Sequence, residues 1–328
     1  MTGPALDTTA LSPWLRDHVG VDGPLRHEII SGGASNLTIG VTVGDIELVV
    51  RRPPVGAFLP SANDVSREYR YLAALRDSEV PVPEVLAFCD DADVIGAPFY
   101  VMRRLHGLVP HDPSVLAHLP TQDARSAGEE YVRVLKAIHD VDIDAVGLGD
   151  AAKRTGYLER QVVRWTDQWH RAKDDDDPII DELSERLSAA IPASGPSTIV
   201  HGDYRLGNVM FDGTRIIGVL DWEMATLGDP LADLGYALLW WGTNGRPPIS
   251  PSQAVADLPG MPSASEVCTL YGTEPGAVRF YVVLAAFKLT IIGAGNRARA
   301  KRTGVDVPDM NSPLAAWALD LLHGRVPL

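Results

Sequence analysis

The chain has 328 residues, 45% hydrophobic and 22% charged, and a net charge of −14 at neutral pH. That length suits two lobes better than one core, and the acidity argues against nucleic acid or an anionic membrane as partner. Two cysteines, Cys89 and Cys268, without metal-ligand spacing predict structural thiols in a reducing compartment.

The first residues, MTGPALDTTALSPWL, lack a basic start and an apolar run, so no signal peptide is expected and the protein is expected in the cytoplasm. Leu11, Trp14, Leu15 and Val19 recur at helical spacing and predict a short helix over 10–20, a lid or strap on the first lobe. Two β-rich runs then flank Gly32-Gly33-Ala34-Ser35-Asn36. Such a turn is either a plain hairpin or a place where backbone N–H groups approach phosphate oxygens without Cβ obstruction. Asp45–Arg52 reads as a strand stopped by Pro53-Pro54. Successive strand side chains alternate, so Arg51 and Arg52 face opposite ways. A helix over Asp64–Leu75, with Asn63 or Asp64 as N-cap, carries Glu68. Pro81–Leu86 and Pro98–Gly107 lead into two more strands.

Beyond the second strand the patterns are helical. Residues 122–139 place Tyr131, Val134, Leu135 and Ile138 on one face and end on His139, read as a structural histidine. Leu158, Val162, Trp165 and Trp169 mark an amphipathic helix over 156–169. The acids 174–177 read as a solvated turn, and 179–190 as another helix. The stretch 281–292 is apolar, broken by Lys288 and short for a bilayer, so a buried helix is expected and no membrane span.

The most informative stretch is HGDYRLGNVMFDGTRIIGVLDWE, His201 to Glu223. Apolar runs at 198–200 and 215–220 read as strands, with Asp203 and Asn208 between them and Asp221 at the end of the second. Hard cations such as Mg²⁺ take oxygen ligands and usually keep waters, so one or two protein oxygens plus phosphate suffice. A further carboxylate is then free to hold a hydroxyl and take its proton.

HGDxxxxN followed by DWE resembles the kinase catalytic loop and metal-binding strand, in the version of the aminoglycoside phosphotransferase and choline kinase group. With Gly156–Trp169, VLDWEMATLGDPLADLGY and VVRRPP, it is most similar to a branch that occurs fused to acyl-CoA dehydrogenases and alone, here expected alone. The similarity spans about residues 28 to 300. The resemblance implies an α+β, bilobal protein-kinase-like fold: a small antiparallel β lobe with one main helix over 1–102 and a larger, mostly helical catalytic lobe over 103–328. It implies ATP and Mg²⁺ as cofactors, Asp203 as the base, Asn208 and Asp221 as Mg²⁺ ligands, and Arg205 toward the γ-phosphate. The glycine turn (Gly32, Gly33, Ser35, Asn36) would cradle phosphates, and the backbone of Met102, Arg103 and Leu105 would meet the adenine edge. Where such enzymes place a phosphate-anchoring lysine, this chain has none before Lys136. Arg51 is preferred over Arg52 for that task, with Glu68, 17 residues on, as its partner.

After Asp221, Asp229-Pro230 signals a helix start, and Asp233 is read as a brace toward the catalytic loop. Trp240-Trp241 are core residues or line the substrate site, and the Pro/Ser/Gly-rich 243–263 is a candidate lid. Lys288, Arg297, Arg299, Lys301 and Arg302 form a basic cluster that suits a phosphate-bearing substrate or a solvated helix end. The implied partner is a small-molecule hydroxyl acceptor, for this branch a hydroxyacyl-CoA or related alcohol, and the protein is a monomer or homodimer. The alternatives are an aminoglycoside or amino-alcohol kinase and, supported by the missing lysine, an inactive nucleotide-binding pseudokinase.

Overall fold

The computed structural model describes residues 6, 8–31, 36–54, 64–173, 177–242, 245–249, 254–304 and 311–328. Gly32, Gly33, Ser35, Asn63, the acids 174–176 and residues 243, 244 and 250–253 of the candidate lid lie outside them. The chain divides into two compact units, Met1–Gly107 with Ile217–Ala225, and Leu108–Ile216 with Thr226–Leu328.

In the first unit, α1 (Thr8–Val19) precedes β1 (Leu25–Ser31), β2 (Leu37–Val43) and β3 (Ile46–Arg52); α2 (Val65–Leu75), β4 (Val85–Cys89) and β5 (Phe99–Arg103) follow. The strands pair antiparallel in the order β1-β2-β3-β5-β4. Ile39, Val41, Val43, Leu48, Val50, Phe99 and Val101 line one sheet face and form a core with Leu11 and Leu15 of α1. The first helix is therefore a wall of this core rather than a lid, its Trp14 ring 4.7 Å from Phe99. Strand alternation puts Arg52 on this core side, 2% exposed, with Nη1 donating to the Ile95 carbonyl at 3.0 Å. Arg51 is left on the opposite face with Thr38 and Tyr100, its register partners. Asp64 caps α2 by accepting from the Ser66 and Arg67 N–H groups.

The second unit contains α3 (Thr121–His139), α4 (Tyr157–Ala172), α5 (Pro178–Ala189), β6 (Thr198–Val200) and β7 (Val209–Asp212). Then β8 (Arg215–Val219) carries the chain into the returning segment of the first unit. After it come β9 (Thr226–Gly228), α6 (Leu231–Trp241), α7 (Ala264–Tyr271), α8 (Pro275–Arg302) and α9 (Asn311–Leu322). Pro230 is the N-cap of α6 rather than its first residue, and Asp229 Oδ1 accepts the Leu231 N–H at 3.1 Å. Asp177, the last of the four acids, caps α5.

The apolar stretch around Tyr281 belongs to a helix of 28 residues, α8, because Lys288 interrupts the apolar pattern without interrupting the helix. It is long and apolar enough to cross a membrane, yet 67% of its apolar window is buried within the protein. It packs on α4, α6 and α9. A close approach is at Gly235 of α6, where a Cβ would meet the Tyr281 carbonyl carbon at 2.5 Å. Tyr281 Oη also donates to Asp229 Oδ2 at 2.8 Å, tying α8 to the start of α6.

Gly235→Ala should lower stability by about 1–3 kcal/mol, because the helices must separate to admit the methyl group. Gly276→Ala, at a site with nothing within 4 Å in α8 itself, should be neutral or slightly stabilising. Urea unfolding midpoints of the two variants check this.

Candidate active site

The turn that presents Asp203 is built from side-chain anchors. The chain leaves β6 through His201 and turns at Gly202, whose φ of 83° favours glycine. Asp233, in the first turn of α6, accepts the His201 N–H at 2.5 Å and the Gly202 N–H at 2.8 Å. His201 Nδ1 accepts the Asp203 N–H at 3.2 Å, so this ring nitrogen carries no proton. Asn208, at the end of a short 3-10 turn, donates from Nδ2 to the Asp203 carbonyl at 2.8 Å and to its Oδ2 at 2.7 Å. That commits the amide nitrogen to Asp203 and turns the carbonyl oxygen, the atom a hard cation takes, the other way. The Tyr236 hydroxyl lies against Asp203; burial and that carboxylate push it well above its ordinary pKa.

Beneath the turn, His139 Nε2 lies 3.4 Å from Asp233 Oδ2, and its Nδ1 is 2.7 Å from the Tyr271 hydroxyl. The ring bridges Asp233 and the Tyr271 hydroxyl. His139 is thus a supporting histidine. Burial pushes the Asp233 carboxyl up, but His139, His201 and the Gly202 N–H outweigh it and hold the group below its ordinary value.

Arg205 stacks over Trp240, its guanidinium carbon 5.3 Å from the ring centroid, with Nε 3.6 Å from Asp203 Oδ2. Both residues line a cavity with His111, Arg246, Ile249 and Pro110. No carboxylate is among the described residues lining it. Both Trp240 and Trp241 line this cavity, but Trp241 is 2% exposed and donates from Nε1 to the Pro262 carbonyl, so it is also a core residue.

The sequence reading missed Lys288 by grouping it with a basic helix end. Its Nζ donates to the Gly202 carbonyl at 2.8 Å and lies 4.5 Å from the Tyr236 ring centroid. The signal was available: it stands amid the apolar run of α8, separated from Arg297 and the cations beyond.

In the first unit, Arg51 is held on all sides. Nε donates to Glu68 Oε2 at 2.9 Å, Nη1 to Thr38 Oγ1 at 3.0 Å, and Nη2 to Asp221 Oδ1 at 2.5 Å. Burial alone would lower its pKa; Glu68, Tyr100 and Asp221 reverse this, so it stays charged. Burial also pushes the Glu68 carboxyl up, against the pull of Arg51. Asp221 has φ 66°, the one non-glycine residue with positive φ among the described residues. That conformation costs a non-glycine residue about 1–2 kcal/mol, less for Asp than for most. Trp222 holds it in place: fully buried, it stacks on Tyr71 and donates from Nε1 to the Val219 carbonyl.

Of the remaining nucleotide candidates, Asn36 is 2% exposed and neither amide atom has a partner, directly after the glycine turn. Met102 lies within β5; the Arg103 N–H is committed to the Glu84 carbonyl at 2.9 Å, and Leu105 follows the strand half-buried. Among the described residues no three His, Cys, Asp or Glu side chains gather as a metal cluster. A Mg²⁺ site of two protein oxygens and phosphate does not need one.

The model of the phosphotransferase enzyme family matches residues 26–267. The chain belongs to that family. It is 34% identical over 89% of its length to acyl-CoA dehydrogenase family member 10 of Mus musculus, and 33% over 91% to family member 11 of Gallus gallus. It spans 28% and 40% of those proteins. Among solved structures, a Ralstonia eutropha protein that carries the name of an aminoglycoside phosphotransferase superposes with a TM-score of 0.83 at 32% identity, covering 98% of this chain and 99% of that one. The aminoglycoside phosphotransferase APH(4)-Ia, solved with AMP-PNP and hygromycin B, shares the fold with a TM-score of 0.60 at 19% identity over 97% of each chain. The family fold is kinase-like, α+β, with the five-stranded antiparallel sheet and the helical part described above.

Two expectations test this phosphotransferase-family geometry. Asp233→Asn should lose roughly 3 kcal/mol of stability, since two buried N–H groups lose their charged acceptor. Because folding depresses the Asp233 pKa, its contribution is present above the ordinary carboxylate value and lost as pH falls through the depressed one. Wild type should therefore lose stability below about pH 4 more steeply than Asp233→Asn, as read by urea midpoints against pH. Trp222→Ala should cost about 3–5 kcal/mol and free the backbone at Asp221, seen as faster amide exchange there.

Proposed function

We propose that this chain is an ATP- and Mg²⁺-dependent phosphotransferase acting on a hydroxyl of a small molecule. The observation that carries the reading is the Asp203 turn, in which Asp233, His201 and Asn208 hold the backbone around one carboxylate. Preorganised positioning is most of what an enzyme contributes to phosphoryl transfer. Asp203 orients the acceptor hydroxyl and takes its proton. Asn208 and Asp221 would hold Mg²⁺ through their side-chain oxygens, and the metal would supply neutralisation of phosphate charge. Arg51, braced by Glu68, binds phosphate oxygens, which requires its present pairing with Asp221 to loosen. The unpaired amide of Asn36 and the glycine turn bind at the phosphates, and Met102 to Leu105 meet the adenine edge. Arg205, stacked on Trp240, faces the acceptor cavity.

The acceptor of this reading carries an anionic group on an apolar body. The cavity offers Arg205, Arg246 and His111 beside Trp240, Ile249 and prolines, with no carboxylate among the described residues lining it. A hydroxyacyl-CoA or a similar acid-derived alcohol meets that demand. An aminoglycoside, a polycation, would face two arginines and no carboxylate among the described residues of the cavity lining, Asp203 standing behind Arg205.

The test is phosphoryl transfer from Mg·ATP across a panel of hydroxylated acceptors of both charges. Asp203→Ala should lose about 10²–10⁴-fold in kcat. Wild type and variant both binding ATP and equally inert on the whole panel would instead favour a catalytically inactive nucleotide-binding protein. Arg246→Glu should raise the KM of an anionic acceptor by about tenfold and leave that of ATP unchanged. A panel in which only cationic acceptors react would reverse the acceptor assignment to an amino-alcohol.

A further inference from the structure

We propose that Lys288 is a positioning residue for this transfer: its ammonium fixes the peptide between Gly202 and Asp203, and through it the base. The inference rests on the phosphotransferase reading and adds a residue to it.

The argument begins with the backbone of the turn. The N–H groups of His201 and Gly202 go to Asp233, the N–H of Asp203 to His201, and the carbonyl of Asp203 to Asn208. The Gly202 carbonyl goes to Lys288 Nζ at 2.8 Å. Each of these main-chain groups is satisfied by a side chain, so the position of Asp203 depends on four side chains. Two of them lie in the motif and Asp233 lies in α6; the fourth comes from α8, 86 residues away in sequence. Remove it, and the Gly202 carbonyl loses the partner that opposes His201 Nδ1 across the same peptide. Gly202, having no Cβ, resists reorientation least of any residue.

The chemistry of the site explains why this partner is a lysine. The ammonium rests over the Tyr236 ring at 4.5 Å and near the Trp165 ring at 5.9 Å, both within cation–π range. Burial pulls the Lys288 pKa below its ordinary value; Asp203 and Asp233 attract the ammonium against this, and Arg164 adds to the lowering. An acidic turn that must accept a phosphoryl donor gains from a fixed cation that does not itself carry the reacting proton. A solvated helix end would show no such cage, which sets Lys288 apart from Arg299 and Lys301 on the same helix.

The experiment compares wild type, Lys288→Met, Lys288→Cys and Asp203→Asn, reading ADP release from Mg·ATP with water or the best panel acceptor as phosphoryl acceptor. Lys288→Met should lose about 10²-fold in kcat while the KM of ATP stays within about twofold. Its Gly202 and Asp203 amides should exchange faster than in wild type, a readout independent of turnover. Alkylating the thiol introduced in Lys288→Cys with 2-bromoethylamine, in which sulfur displaces bromide, restores an ammonium at lysine length and should return kcat to within about tenfold of wild type. Alkylation with 1-bromopropane gives the same length without charge and should not. Treated wild type controls for Cys89 and Cys268, both buried. Unchanged kcat in Lys288→Met, or equal recovery with the propyl chain, overturns the inference. If Lys288→Met does not fold, the two alkylated forms decide. Asp203→Asn with wild-type turnover would bring down the transferase reading itself; an inert Asp203→Asn beside an active Lys288→Met brings down only the role of Lys288.

Discussion

A single carboxylate, Asp233, organises the turn that matters most. It sits in the first turn of α6 and receives two consecutive backbone N–H groups, at 2.5 and 2.8 Å. One charge thereby joins a helix to a loop with no strand pairing to define it. The surrounding packing serves this contact. Gly235 lets α8 approach α6 closely, Tyr281 ties α8 to Asp229, and His139 with Tyr271 keeps Asp233 ionised under burial. A buried carboxylate with fewer donors would protonate instead, and the turn would lose its shape.

The first unit solves a related problem with the opposite charge. Arg51 is a cation between Glu68 and Asp221, and the sheet fixes which arginine it is. The alternation of β3 buries Arg52 against the core formed with α1 and leaves Arg51 on the other face. Arginine suits this place because its planar fork meets several carboxylates and a hydroxyl together, where an ammonium offers one point. The strained Asp221 backbone is stable because Trp222 is locked beneath it.

Much of this was legible in the sequence, for identifiable reasons. HGDxxxxN and DWE specify chemistry at fixed spacing, and the helical and strand periods placed α2, α3, α4 and β3. Asp233 was readable as a brace because it stands in the first turn of a helix that follows the DWE segment. What stayed hidden depends on contacts distant along the chain. Lys288 reads as one more cation of a basic helix until its contact with Gly202 is seen, 86 residues away. The first helix reads as a strap because sequence gives its apolar stripe but not the sheet face it covers. The return of 217–225 to the first unit follows from Tyr71, Pro81 and Arg51 meeting Trp222, Val219 and Asp221, pairs that no local pattern announces.

The chain holds no lysine before Lys136. The first unit, apart from its α-amino terminus, is therefore silent to amine-directed chemistry. Nucleotide analogues that acylate a lysine beside the phosphates would find no ε-amine there, and a survey of kinases by such reagents would pass this protein over or mark it in the second unit. Dicarbonyl reagents, which condense with guanidinium groups, are the matching chemistry, and on the proposed reading nucleotide would protect Arg51 from them.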